Sequence, residues 1–175
     1  MRSAMFGAVL LAAVAAVPVE AAPSGNEVIS AISLSDLADL LNASGFAAQV
    51  ESTNEGPMVV ANLSAVGVEG YLHIGGISCG SDIYATNTAT PCQVLELVAV
   101  LEVSADVSDA EVQAVDRKFE LSSIERVDAT HVAVSDGVVL MGGITANNLS
   151  ANIGFFAGQC LAAGRELAKA AGRTS

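Results

Sequence analysis

The residues best suited to chemistry in this chain are three cysteines, two histidines and a surplus of carboxylates. The first question is whether their spacing assembles a site. Cys79 and Cys92 close a polar stretch of fourteen residues. In a chain bearing an export signal, argued below, such a pair is expected to form a disulfide. By loop entropy that bond would stabilise the fold by roughly 3 kcal/mol. The alternative is a metal pair helped by His73 or His131, but it needs four converging ligands, and the spacing lacks the short CxxC knuckle of zinc sites. No metal centre is expected. Cys160 shares one helical stripe with Leu149, Ile153, Phe156 and Leu167, which marks it as a buried core thiol rather than a nucleophile.

His73 and His131 fall on expected strands, with no Ser, Cys or acid at a spacing that suggests a triad and no GxSxG elbow. Gly75-Gly76 and Gly142-Gly143 are not phosphate cradles, because neither follows a strand of a βαβ unit with full GxGxxG spacing. No catalytic residue and no cofactor is therefore nominated, and a non-enzyme is expected. Asn42-Ala43-Ser44, Asn62-Leu63-Ser64 and Asn148-Leu149-Ser150 match the glycosylation acceptor pattern, a short motif that carries little weight alone. Gly154 and Gly158, with Ala151, Ala157 and Ala162 nearby, would let another backbone approach closely. That face either packs on the sheet or forms a subunit interface, and the sequence leaves both open.

The elements that would position these residues follow from periodicity. Leu34, Leu37, Leu40 and Leu41 share one face of a helix, capped by Ser33 and closed by Gly45. Strands are expected over 46–52 and 58–63, joined by the five residues 53–57, and over 70–78, where Gly75-Gly76 signal a bulge or a close backbone approach. Residues 80–91 read as a polar loop. The strand over 93–103 alternates Leu95, Leu97, Ala99, Leu101 and Val103 against Val94, Glu96, Val98, Val100 and Glu102, the pattern of a sheet with one face on the core. Ser108 and Glu111 form a capping box, so a helix runs from Asp109 to about Phe119. A strand pair follows, turning either at 128–130, with Gly137 as a bulge, or at Asp136-Gly137. The final helix covers 147–167.

One hundred and seventy-five residues suffice for a single domain. Arg2, an apolar run from Met5 to Val17 and the Val19-Glu20-Ala21 site together read as a signal peptide over residues 1–21, cleaved after Ala21. Residues 22–32 then read as a linker and 33–172 as the domain. Cleavage removes one base, Arg2, and one acid, Glu20, so the net charge of −12 is unchanged. That acidity leaves no basic face for nucleic-acid phosphates or anionic lipid. After the leader no stretch is apolar and long enough to span a bilayer.

Taken in order, several of these pieces resemble the YbjN-domain family of bacterial sensory transduction regulators. They are the leucine helix ending in Gly45-Phe46, Gly56-Pro57, Cys79 at the end of the third strand with Cys92 opening the fourth, the capped helix, the strand pair, Gly142-Gly143-Ile144-Thr145 and the last helix. The resemblance spans residues 33–167; Gln113, Val115 and Asp116 stand where the family carries an Asn-x-Trp-Asn pattern. It implies a fold similar to type III secretion chaperones, an α+β antiparallel sheet with helices on one face, which agrees with the element order read from the residues. It also places the hairpin turn at 128–130 and implies dimers as an assembly for this fold. The expectation is a periplasmic or secreted protein-interaction module with a protein or peptide partner. An enzyme or small-ligand protein whose site is gathered from sequence-distant residues is the other reading.

Overall fold

The leucine periodicity produces helix α1 (Leu34–Ala43), with Leu34, Leu37, Leu40 and Leu41 all buried. Ser33 caps it, its hydroxyl accepting the Asp36 N–H at 3.1 Å. At the other end Gly45 adopts φ +91°, a conformation that costs a residue with a Cβ far more. This lets the Phe46 N–H return to the Leu41 carbonyl at 3.0 Å. The computed structural model describes residues 23–63 and 70–172; the expected leader, residues 1–21, lies outside them.

Seven strands form one antiparallel sheet: β2 (Ala47–Thr53), β3 (Gly56–Asn62), β4 (Tyr71–Cys79), β5 (Asp82–Tyr84), β6 (Cys92–Glu102), β7 (Ser123–Arg126) and β8 (His131–Val139). The spatial order is β2-β3-β4-β6-β8-β7, with β5 folded back on β4. A two-stranded pair of β1 (Val28–Ile29) and β9 (Ile144–Thr145) leads into α3 (Ala146–Ala170), and α2 (Asp109–Asp116) precedes β7. The fold is α+β, as the element order led us to expect. The core lies where α1 packs against β2 and β3 and α3 against β6 and β8. There Leu95, Leu97, Ala99 and Leu101 of β6 meet Ile74, Leu72, Val134, Val132 and the buried stripe of α3. No helix among the described residues is long and apolar enough to cross a membrane.

Several local expectations shift. The first hairpin closes through two residues, Asn54 and Glu55, rather than five, because the Thr53 hydroxyl accepts from Glu55 N–H and donates to the Gly56 carbonyl. The stretch 80–91 is not simply a loop. It contains β5, buries Ala85, whose N–H donates to the Gly76 carbonyl, and is tied to α1 by the Ser35 N–H and hydroxyl on the Thr88 carbonyl. The segment read as a linker carries β1 and two core residues, Ile29 and Ile32, so its second half belongs to the packed domain. Ile32 and Cys92 exchange both backbone hydrogen bonds, at 3.0 and 2.8 Å. Helix α2 keeps its capping box but stops at Asp116, whose carboxylate accepts the Ile124 N–H at 2.8 Å and so turns the chain into β7. The β7–β8 turn falls at 127–130. Gly137 pairs with Glu96 in unbroken register, so the bulge expected there does not form.

Candidate functional site

Cys79 and Cys92 are register partners on β4 and β6, joined by a disulfide with Cα atoms 4.0 Å apart. Strict alternation would put Cys79 on the opposite side of the sheet from Gly76. Ser78 prevents this: its φ of +56° and the missing Ser78–Gln93 pairing mark an irregularity that returns Cys79 to the side Gly76 faces. A Cβ on Gly76 would overlap the Cys92 sulfur and stand 3.0 Å from that of Cys79. The close approach signalled by the paired glycines is therefore made by the disulfide. The bond is buried between the two strands and serves the fold rather than chemistry in solvent.

Cys160 lies on the inner side of α3, and burial pushes its thiol up to about 12. A thiol held neutral in this way is a poor nucleophile at neutral pH. His73 occupies the middle of β4 between Val60 and Val98. His131 opens β8, and its Nδ1 meets both Asp128 carboxylate oxygens at 2.9 and 3.0 Å and the Thr130 hydroxyl at 3.2 Å. All three contacts converge on one ring nitrogen, whereas a catalytic relay needs acid and nucleophile on opposite nitrogens. The Thr130 N–H, and then His131, hold the Asp128 carboxyl below its ordinary range. The group is an exposed turn closure. Among the described residues no three His, Cys, Asp or Glu side chains converge to hold a metal ion.

The helical glycines answer the packing question only in part. The inner side of α3 buries Leu149, Ile153, Phe156, Ala157, Cys160 and Leu167. Gly154 and Gly158 lie away from it, with open space where a Cβ would stand. Next to Gly158, Phe155 (58% exposed) and Leu121 (64% exposed) border a shallow groove of about 530 Å³. Lys118 at its rim pairs with Glu166, which also holds Lys169; the two ammonium groups pull the Glu166 carboxyl down to about 2.

Among the described residues, no helix packs on the outer face of the sheet. Because helices pack on one side, the alternate residues of each strand face outward in cross-strand rows. One row runs Gln49, Val60, His73, Val98, Ser135, Ser123. Another runs Ile77, Val94, Val139. A further pair, Val100 and Ala133, extends the apolar area, and Val100 and Val139 are 41% and 57% exposed. Between the rows of Val98 and Val94 stands Glu96, whose register partners on both sides are glycines, Gly75 and Gly137. One Glu96 carboxylate oxygen lies 3.9 Å from the point a Gly75 Cβ would occupy. Glu96 and Glu55, with Pro57, Met58, Gly75 and Tyr84, border a recess of about 390 Å³.

The edges of the same sheet are guarded. The Asn42 side chain pairs with the outward backbone of Ala48 on β2, donating to its carbonyl and accepting its N–H, both at 2.9 Å. At the far edge α2 packs on the four-residue β7.

The alternation on β6 was legible in the sequence, but the isolation of Glu96 was not, because it depends on which residues of β4 and β8 lie opposite. A second signal lies in the order of charges: from Pro23 to Asp116 the chain contains no lysine or arginine. No family model matches the chain, and no curated protein matches it.

Proposed function

We propose that this chain is an exported, YbjN-like interaction module of the bacterial envelope that binds a protein or peptide, without catalysis, on the outer face of its sheet. The observation that carries the reading is the apolar area of the exposed Val100 and Val139 and the half-buried Val94 and Val98, on the opposite face of the sheet from the core. Exposed apolar side chains grouped on one face among polar residues mark candidate interaction surfaces. The motif order from the leucine helix to the last helix, the leader-like N-terminus and the buried cross-strand disulfide support the compartment and the family likeness. The guarded edges direct a partner to the face, since strand addition at an edge needs a free run of outward N–H and C=O groups.

A photo-crosslinking residue placed at Val98, with a control at Ala162 on α3, tests the reading in the periplasm of a producing cell. A discrete adduct from position 98 and none from position 162 is the expected outcome. Adducts from position 162 alone, or none from position 98 while the protein is folded and exported, would overturn the sheet-face reading.

A further inference from the structure

We infer that the outer sheet face takes an extended segment that carries a lysine or arginine between two apolar side chains, with Glu96 as the acceptor of the cation. The inference rests on the interaction reading above and adds the chemistry of the partner. Val94, Glu96 and Val98 are alternate residues of β6, so they point outward at the repeat of an extended chain, about 6.4 to 6.8 Å. A second extended segment laid along β6 presents its own alternate side chains at that same repeat, which places apolar, cationic and apolar groups over Val94, Glu96 and Val98 in turn. A helix presents one side chain per turn on a given face, about every 5.4 Å, and so falls out of step with this spacing by nearly 3 Å over three positions.

The space for the cation is built in. Gly75 and Gly137 leave the backbone bare on either side of Glu96, so a long side chain can descend to the carboxylate between the valine rows. Its aliphatic stem would lie against Met58, Pro57 and Tyr84 in the recess, and Glu55 adds a second negative charge at the rim. Long basic side chains pack in this manner, burying the stem while the head keeps a polar partner. Neither Glu55 nor Glu96 meets a cation among the described residues.

Charge complementarity sets the sign. The outer face carries Glu51, Glu96, Glu102 and Glu125 along its strands, and no lysine or arginine lies anywhere between Pro23 and Asp116. The exported chain's basic residues, Arg117, Lys118, Arg126, Arg165, Lys169 and Arg173, all come after that stretch. Arg126 is spent on Asp109 and on backbone carbonyls, and Lys118 and Lys169 on Glu166. An acidic partner would meet repulsion over the whole face, while a cationic one is steered toward it and then held by Glu96.

The test uses the oxidised chain and a short synthetic peptide that alternates threonine with valine, lysine and valine, so that one face carries the three side chains in that order. Two control peptides replace the lysine by norleucine or by glutamate. Binding is followed by calorimetry and by backbone amide NMR shifts. The lysine peptide is expected to shift β6 amides around Glu96 and to bind about tenfold or more tightly than the norleucine peptide, as a charge-assisted hydrogen bond would give. Glu96→Gln should abolish that preference. Gly75→Leu, which fills the cleared floor without entering the core, should weaken the lysine peptide alone. A carboxylate placed only to keep copies of the chain apart would show no preference for lysine over norleucine. Equal binding of those two peptides therefore overturns the cation inference and leaves the sheet-face reading standing. Failure of all three peptides to shift any outer-face amide at millimolar concentration overturns both.

Discussion

Gly76→Ala probes the coupling between the disulfide and the strand it crosses. In the oxidised chain the new methyl would overlap the Cys92 sulfur and crowd that of Cys79 at 3.0 Å. Both sulfurs are fixed by their bond and buried, so the strain must be relieved by shifting β4 against β6. Overpacking of this kind costs about 1 to 3 kcal/mol. Cys79→Ala with Cys92→Ala removes the fourteen-residue loop closure, which costs roughly 3 kcal/mol. Once the sulfurs are gone, the nearest remaining obstacle is the Cβ of residue 92 at 3.2 Å, a contact that a small shift relieves. Replacing glycine also lowers the entropy of the unfolded chain, by about 0.4 to 1 kcal/mol in its favour. The same methyl should then be close to neutral, and the two changes should be coupled by about 1 to 3 kcal/mol. Urea unfolding of the four proteins, followed by circular dichroism without reductant, reads this directly. With a slope of about 2 kcal/mol per molar, a 2 kcal/mol cost moves the midpoint by about 1 M. Should Gly76→Ala cost the same in both backgrounds to within about 0.5 kcal/mol, the disulfide is not what keeps position 76 bare.

Other consequences are tested more simply. Alkylation of the native, unreduced protein should leave Cys160 unlabelled, because burial keeps its thiol neutral; denaturation without reductant should admit one label there, and a label on Cys79 or Cys92 would contradict the pairing. Phe156→Ala, deep in the core, should destabilise by about 3 to 5 kcal/mol, while its exposed neighbour Phe155→Ala should stay within about 0.5 kcal/mol; equal losses in the unfolding midpoint would refute the orientation of α3. The folded-state carboxyl of Glu166 lies below its unfolded value, so its ion pairs support the fold above the ordinary carboxylate range. That support should fade as pH falls from about 5 toward 2. Thermal midpoints of Glu166→Gln should therefore fall less steeply with acid than those of the parent, and parallel curves would show that the pairs contribute nothing.

What the sequence shows of the fold is what local patterns encode. Ser33 and Ser108 cap the helices they precede because a hydroxyl at that place satisfies free N–H groups, and the alternation of β6 marks its two faces. The β5 strand was hidden because it is only three exposed residues, too short for alternation to show: the chain turns at Gly80 and Ser81, Asp82 and Tyr84 add to β4, and Ala85 is held by Gly76 and buried in the core. The role of Val28 and Ile29 was hidden because their pairing is non-local, with partners more than a hundred residues away at Ile144 and Thr145. The candidate surface was half legible. Its apolar row is written in β6, whereas the clearing around Glu96 exists only once Gly75 and Gly137 come into register on either side.

The Asn42 amide has a further consequence, for crowding. An antiparallel sheet with a bare rim can recruit the rim of another molecule and grow without limit, the first step toward fibres. On β2 the outward positions are Ala48, Val50 and Ser52, and Asn42 already occupies the first. A newcomer would find two outward residues before the turn at Asn54, too short a template for lasting growth. With α2 shielding the other rim, the molecule can present an apolar face at high concentration without that face seeding ordered polymers.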